Sequence, residues 1–480
     1  MHIQKKVFAT VACATWLGFA SLAATQPNFV VIFIDDMGYA DIGPFGATKQ
    51  KTPNLDKMAK DGMKMTSFYA APVCSVSRAQ MMTGCYGARV SVPGVFFPAC
   101  PQGLNPKEFT MAERLKEQGY STACIGKWHL GDQPQFLPTK QGFDFYYGIP
   151  YSNDMQRESK EDGVRVVPLM RNEKVDRLLK EDDQDGIVEL YVKEATSFIR
   201  ENKDKPFLLY FPNTAVHTPI HPGKKFQGKS QNGRFGDWVE EVDWSVGQVM
   251  ETLKELGLDE KTVVVFTSDN GPWLVKKSDG GCALPLRGGK GGTFEGGVRE
   301  PTLVRWSGHI PAGSVCDTVA GTIDLLPTFV ALAGGKVPAD PVIDGRDISN
   351  VLFGKTKEAQ REAHYYFAGY NLQAVRQGPW KLAVKTQNES MGNAKKDEKN
   401  PRLYNLDSDI GEKNDVSDQH PEIVAKLSAL IAKMDAEIGG DHPTARREPG
   451  IAEKPVTLYP TLPKAEKKKG NKQTKKQKNQ

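Results

Sequence analysis

The chain has 480 residues, more than one small core requires, so length alone calls for more than one domain and leaves room for a cleft. Apolar residues are 39%, charged residues 25% and aromatics 9%, which excludes a coiled coil, a collagen, a wholly disordered chain and a multi-span membrane protein. The formal charge is +5, but Lys464 to Gln480 hold eight Lys against one Glu, and Lys5 and Lys6 sit near the start. The basic excess thus belongs to the ends, and no nucleic-acid partner is expected.

Residues 1–25 carry two lysines, an uncharged apolar stretch from Val7 to Ala24 and small residues at Ser21, Ala23 and Ala24. The pattern predicts a secretory signal peptide, with an N-terminal anchor as the alternative. A periplasmic or secreted mature chain without a transmembrane anchor follows. Of the seven cysteines, Cys13 leaves with the leader; Cys74, Cys85, Cys100, Cys124, Cys282 and Cys316 remain in a compartment that permits pairing. Their connectivity is not readable from spacing.

Asn28 to Ile34 is a continuous apolar run, expected of a central strand buried on both faces, and ends in Asp35-Asp36. Thr52-Pro53 offers an N-cap and first-turn proline to a helix stopped by Gly62. A capping box, Thr110 to Glu113, opens another, and Ser121 to Ile125 reads as the next strand. Helical spacing covers Gly186 to Asn202 and Asp237 to Leu256, while Phe207 to Phe211 and Thr262 to Ser268 read as strands. Alternating βα units predict an α/β fold with a large, mainly parallel sheet flanked by helices on both faces, over residues 26–345. From 346 to 455, short strands at 364–367, 374–376, 380–384 and 403–406 and a helix from Pro421 to Ile438 predict a smaller antiparallel α+β subdomain. Residues 456–480 read as a disordered Lys-rich tail.

In such a sheet, ligands gather outside the carboxyl ends of the strands. Asp35 and Asp36, Lys127 and His129, His217 and His221, and Asp269 and Asn270 all fall at such ends. Alone, an Asp pair is more often a loop cap; two oxygen-rich sets at equivalent ends suit a hard divalent cation such as calcium or magnesium. Cys74 sits where a loop enters a predicted helix, and Arg78 lies one turn on. Taken as an isolated pair they would be a core cysteine and a surface arginine. The block Leu286 to Pro301 is so rich in Gly that it predicts a loop of close backbone approaches carrying Lys290. Cations, a helix N-terminus and a metal nest on one edge describe a site for a doubly charged, near-tetrahedral oxyanion.

Nearly the whole mature chain resembles the type I, formylglycine-dependent sulfatases of the alkaline-phosphatase superfamily, in the arylsulfatase A and N-acetylgalactosamine-6-sulfatase group. The carrying stretches are IDDMGYADIG, CSVSR with MTG, GKWHLG, GIPYSND, TSDNGP, GGKGGTFEGGVREP, DLLPT, AVRQGPWKL and LYNLDSD. The resemblance implies a sulfuric ester hydrolase acting on a sulfate monoester of a small molecule or polysaccharide, a carbohydrate being favoured. It implies that a maturation enzyme oxidises Cys74 to Cα-formylglycine, whose hydrated aldehyde is the nucleophile. Asp35, Asp36, Asp269 and Asn270, with residue 74, would bind Ca²⁺. Arg78, Lys127, His129, Ser152, His217 and Lys290 would surround the sulfate: Lys127 and Lys290 on its oxygens, His217 with Lys290 protonating the leaving alcohol, His129 assisting breakdown of the sulfated intermediate. Val76 stands where the maturation motif usually has Pro or Ala. A phosphatase or phosphonate hydrolase on the same fold, or a non-catalytic sulfate-ester binding protein with an unmatured Cys74, are the alternatives.

Overall fold

A computed structural model describes residues 26–392 and 399–463; the expected leader and the Lys-rich stretch 464–480 lie outside the described residues. The strand Asn28–Ile34 is buried along its whole length. Its alternate residues serve opposite faces: Phe29, Val31 and Phe33 enter one core, Val30, Ile32 and Ile34 the other. This period of two is what a doubly covered strand requires.

Around it runs an 11-stranded sheet. From one edge the order is Ser314–Cys316, Met63–Met65, Thr302–Arg305, Thr262–Ser268, Asn28–Ile34, Phe207–Pro212, Ser121–Ile125, Phe145–Gly148, Arg165–Arg171 and Arg157–Glu158, with Lys174–Leu179 pairing Arg165–Arg171. The expectation of a mainly parallel sheet holds at its centre, where Thr262–Ser268 through Phe145–Gly148 are all parallel. Thr302–Arg305 and Arg165–Arg171 flank that centre in antiparallel pairing, making the whole sheet mixed.

Helices cover both faces. Pro53–Asp61, Ile187–Glu201 and Gly233–Glu255 bury Leu55, Met58, Val188, Tyr191, Val239 and Val242 against one face. Cys74–Thr83, Met111–Lys116 and Leu325–Leu332 bury Ala79, Met82, Leu115 and Phe329 against the other. Phe329 stacks on Phe29 with ring centroids 4.2 Å apart. Each such side chain taken from water contributes about 1.5–3 kcal/mol.

The helix ends show where local reading succeeds and fails. The Thr110–Glu113 capping box forms as expected. Thr52 does not cap its helix: its hydroxyl accepts from Gly43 N at 2.8 Å, and the Asp243 carboxylate of the neighbouring helix takes Asn54 N and Leu55 N instead. The helix expected from Asp237 starts at Gly233, and the Asp237 carboxylate, one turn in, accepts from Gly228, Lys229 and Ser230 N and so ties the preceding loop to it.

Glu241, on the same helix, is buried and accepts from Gly223 N at 2.7 Å. Burial pushes its carboxyl from 4.5 up to about 8. Between those values the folded state keeps a proton that the unfolded chain releases, so its contribution to stability falls as pH rises through that window. Glu241→Gln keeps the acceptor and should raise the unfolding temperature at pH 8 by several degrees while changing little near pH 4.5. Thermal melts across that range measure it.

The C-terminal part forms a 4-stranded antiparallel sheet in the order His364–Ala368, Asn371–Gln377, Trp380–Ala383 and Arg402–Asn405. The helix Pro421–Ile438 lays Leu427, Ile431 and Ile438 against its Leu372, Val375, Leu382 and Leu403. Residues 456–462, the start of the expected tail, are tied to the body. Val456 exchanges hydrogen bonds with the Gln133 side chain, Tyr459 donates to Val166 O, and Leu462 N donates to Glu158 O. Backbone pairing of Gly450–Ile451 with Gln102–Gly103 starts this strap, whose partners are too distant in sequence to leave a local pattern. Among the described residues all six cysteines are free thiols, and no helix is long and apolar enough to cross a membrane.

Candidate active site

The strand ends converge through their own backbones. Asp269 N donates to Ile34 O at 2.9 Å, Asn213 N to Phe33 O at 2.8 Å, and Lys127 N to Pro212 O at 2.7 Å. These bonds bring together the residues that follow four adjacent central strands. Asp36 and His129 take left-handed backbone with φ near +62°, a conformation costly for non-glycine residues and found where function requires a particular side-chain direction.

Asp35, Asp36, Asp269 and Asn270 are buried together. Asp36 N donates to Asp269 Oδ1 at 3.2 Å, and Asn270 Nδ2 to Asp36 Oδ1 at 2.8 Å. Ligand atoms of Asp35, Cys74 and Asp269 lie within 4.8 Å of one another, as do those of Asp35, Asp36 and His217. Asp35 Oδ1 and Asn270 Oδ1 are buried without a hydrogen-bond partner. Orphaned oxygen acceptors in a nest of carboxylates fit a hard, oxygen-seeking divalent cation. Burial and the neighbouring Asp35 push the Asp269 carboxyl up to about 7 despite Arg78, a repulsion that such a cation would offset.

Cations ring these carboxylates. Lys127 Nζ reaches Asp35 Oδ2 and donates to Ser152 Oγ at 2.6 Å. Arg78 donates through Nε and Nη2 to Asp269 Oδ2, and through Nη1 to Lys127 O at 2.6 Å. Lys290 Nζ lies 2.7 Å from Asp36 Oδ1 and 4.6 Å from the centre of the Trp273 ring. Burial raises the Asp35 carboxyl, but Lys127, His217, Arg78 and Lys290 outweigh it and hold the group well below the usual carboxylate range.

Cys74 is the first residue of the helix Cys74–Thr83 and is buried. Burial pushes its thiol up, against the pull of Lys127 and Lys290. Its Sγ lies 3.3 Å from His129 Nδ1, while His129 Nε2 faces Phe96 O at 2.9 Å. A carbonyl only accepts, so Nε2 carries the proton and Nδ1 offers its lone pair to residue 74. Burial, with Lys127 and Arg78, holds His129 well below its ordinary value and thus neutral. His217 is arranged the other way round: Nδ1 donates to Thr218 O at 2.7 Å, and Nε2 faces Asp36 Oδ2 at 3.7 Å. Val76, the unusual residue, is buried, and its Cγ1 fills the space where Gly87 lacks a Cβ.

The structure therefore gathers Asp35, Asp36, Cys74, Arg78, Lys127, His129, Ser152, His217, Asp269, Asn270 and Lys290. His221 is not among them: its Nδ1 pairs Asp185 Oδ1 at 3.0 Å. Asn153, which the resemblance sets beside Ser152 near the sulfate, has its Oδ1 3.1 Å from His217 Nδ1; sequence reading missed Trp273, whose ring is 5.5 Å from that of His217. Trp273 directly follows TSDNGP, which could have flagged it. Sequence reading also missed the chain 387–391, which no local signal ties to the site. Gly289 N donates to Glu389 O, and Met391 N to Lys290 O. A Cβ at Gly291 would lie 2.8 Å from Met391, and one at Gly292 2.2 Å from Asn388 O. The glycines are the space this chain occupies.

Comparisons with known proteins agree with this geometry. Residues 27–335 match the Sulfatase family, and residues 290–437 match N-sulphoglucosamine sulphohydrolase, C-terminal. Human arylsulfatase A is 37% identical over 458 residues, 86% of this chain and 89% of that protein. Rat N-acetylgalactosamine-6-sulfatase is 39% identical over 400 residues, 78% and 74% respectively. The crystal structure of PsFucS1 sulfatase from Pseudoalteromonas sp. superposes with a TM-score of 0.79 at 28% identity, covering 86% of this chain and 90% of that one. Members of the family use a formylglycine and a divalent metal. With its oxygen nest, buried cysteine and ring of cations on one sheet edge, the chain belongs to the sulfatase family and is a sulfatase, an enzyme that hydrolyses sulfate esters.

Proposed function

We propose that this sulfatase cleaves a sulfate monoester of a carbohydrate in the periplasm or outside the cell, with Cα-formylglycine at position 74 and Ca²⁺ in the carboxylate nest. The contact between Cys74 Sγ and the unprotonated His129 Nδ1, beside two orphaned buried oxygens, carries the reading. The named activity of N-acetylgalactosamine-6-sulfatase supports a sugar sulfate; the apolar leader supports export.

Asp35, Asp36, Asp269 and Asn270, with residue 74, would hold the calcium. Bound there, the ion lowers the pKa of a hydroxyl it touches, and the hydrated aldehyde that a maturation enzyme installs provides two hydroxyls, one to attack sulfur and one to regenerate the carbonyl. The other residues do the rest. Arg78 orients residue 74 from one helical turn away, and His129 Nδ1 accepts a proton from it. Lys127, Ser152 and Lys290 bind the sulfate oxygens and stabilise charge that grows on them in the transition state. The Lys290 ammonium, and His217 when Nε2 carries a second proton beside that on Nδ1, deliver the proton that lets the alcohol depart; burial and Lys290 hold the imidazole below its ordinary value, so this doubly protonated form gives up its proton readily. All are buried, so the charges act in a medium with little water to screen them.

Mass spectrometry of the peptide containing residue 74, on protein from a host that exports and matures it, should show an aldehyde in place of the thiol, and the same protein should release sulfate from aryl sulfates faster than phosphate from aryl phosphates. An unmodified thiol in active enzyme, or faster phosphate release, would overturn the proposal.

A further inference from the structure

We infer that Lys381, a residue of the C-terminal sheet, is a positioning residue for Lys290 and so sets how well the enzyme expels poor leaving groups. This rests on the role proposed for Lys290 above.

The glycine loop has little means of fixing its own shape. Gly288 and Gly291 take left-handed backbone, and Gly291 and Gly292 contribute no side chain, so the segment carrying Lys290 has more conformational freedom to lose than ordinary chain. Apart from its own turn bonds, Gly292 N to Gly289 O and Gly296 N to Arg287 O, its restraints come from outside. On one side Gly291 N donates to Pro72 O, two residues before Cys74, and Lys290 N donates to Pro272 O. On the other side holds come from the C-terminal part. Met391 N and Glu389 O bracket Lys290 as described. Gln387 Nε2 donates to Thr293 O at 2.8 Å, and Thr293 Oγ1 donates to Gln373 Oε1 at 2.6 Å.

Lys381 ties this second side together. It is fully buried; its ammonium donates to Thr293 O at 2.8 Å and to Glu295 Oε1 at 3.0 Å, and pairs with Glu412 Oε1 at 2.8 Å. Glu412 Oε2 in turn accepts from Glu295 N at 2.6 Å. Glu295 is also held by Tyr69, Tyr366 and Arg299, so it stays anchored without Lys381. What Lys381 adds is a second donor on the Thr293 carbonyl, beside Gln387 Nε2 and three residues from Lys290, and the charge that pairs Glu412. A buried ammonium with three oxygen partners fixes a point in space where an apolar side chain would only fill volume. Small errors in the placement of a charge beside the breaking bond cost rate most where the leaving oxygen carries most charge.

The test is a leaving-group series of aryl sulfates whose phenols range from acidic to weakly acidic. It is run on the wild type, on Lys381→Met with Glu412→Gln, and on Glu412→Gln alone as a milder change that retains every buried atom count near the native one. For the double variant, kcat/KM should fall about 3-fold for the most activated ester and about 30-fold or more for the least activated, steepening the dependence on phenol pKa. Glu412→Gln should show the same trend with smaller amplitude, even if the double variant fails to fold. A loss uniform across the series, matching the folded fraction seen by circular dichroism, would make Lys381 merely structural and overturn the inference. Failure of the wild type to release sulfate would overturn the functional reading instead.

Discussion

Cys74→Ala should lower kcat for an aryl sulfate by about 10⁴-fold or more while leaving the fold intact. Among the described residues, Cys74 Sγ makes one hydrogen-bonding contact, to His129 Nδ1 at 3.3 Å, so removing it orphans a neutral imidazole nitrogen. The helix Cys74–Thr83 starts without a side-chain cap from Val73 and is closed by Gly84, and neither end depends on the thiol. Alanine cannot be converted to an aldehyde, however, and the surrounding cations then have a sulfate to bind and nothing to attack it. Sulfate release at saturating substrate, with a melting temperature within a few degrees of wild type, is the expected pair of results. An equal loss in both would move Cys74 from chemistry to packing.

Asp269→Ala should remove activity and also cost about 3–5 kcal/mol of stability, because it leaves a buried guanidinium without its carboxylate. Arg78 is fully buried and places two donors on Asp269 Oδ2; its distance of 3.9 Å to Asp35 Oδ1 is too long to replace them. Asp269→Asn retains an acceptor for Arg78 and so should unfold less readily than the alanine variant, yet remain as inactive, since the nest has lost a negative charge that a divalent cation needs. Denaturant unfolding and calcium titration of the three proteins separate the effects. Equal stability of the two variants would deny Arg78 its dependence on Asp269.

Much of the centre of this molecule is legible in the sequence because each part there is dictated locally. A β-branched apolar run such as Asn28 to Ile34 reads as a doubly buried strand, and strand ends in an α/β sheet are where ligands gather. That places Asp35, Asp36, Asp269 and Asn270 together at one sheet edge, and the family resemblance gives them roles. The edges were not legible: Thr302–Arg305 and Arg157–Glu158 are short strands whose direction depends on partners far away in the chain. Caps failed where a tertiary group outcompeted the local one, as Asp243 does for Thr52. His217 and His221 look alike on paper, and only the fold sends one to Asp36 and the other to Asp185. The Gly-rich loop announced a close approach without naming the visitor, since residues 387–391 lie about a hundred positions away.

The strap from Gly450 to Leu462 has a consequence for how the chain is completed. It closes over Gln102–Gly103, Gln133 and the hairpin at Glu158 to Val166, segments synthesised some three hundred residues earlier. A chain that emerges from its N-terminus therefore holds these early segments open until residues 450–462 arrive. Fusions or truncations made on the assumption that everything after the final helix is dispensable would leave two strand edges and a glutamine side chain unpaired, and would expose them to aggregation in a body otherwise finished.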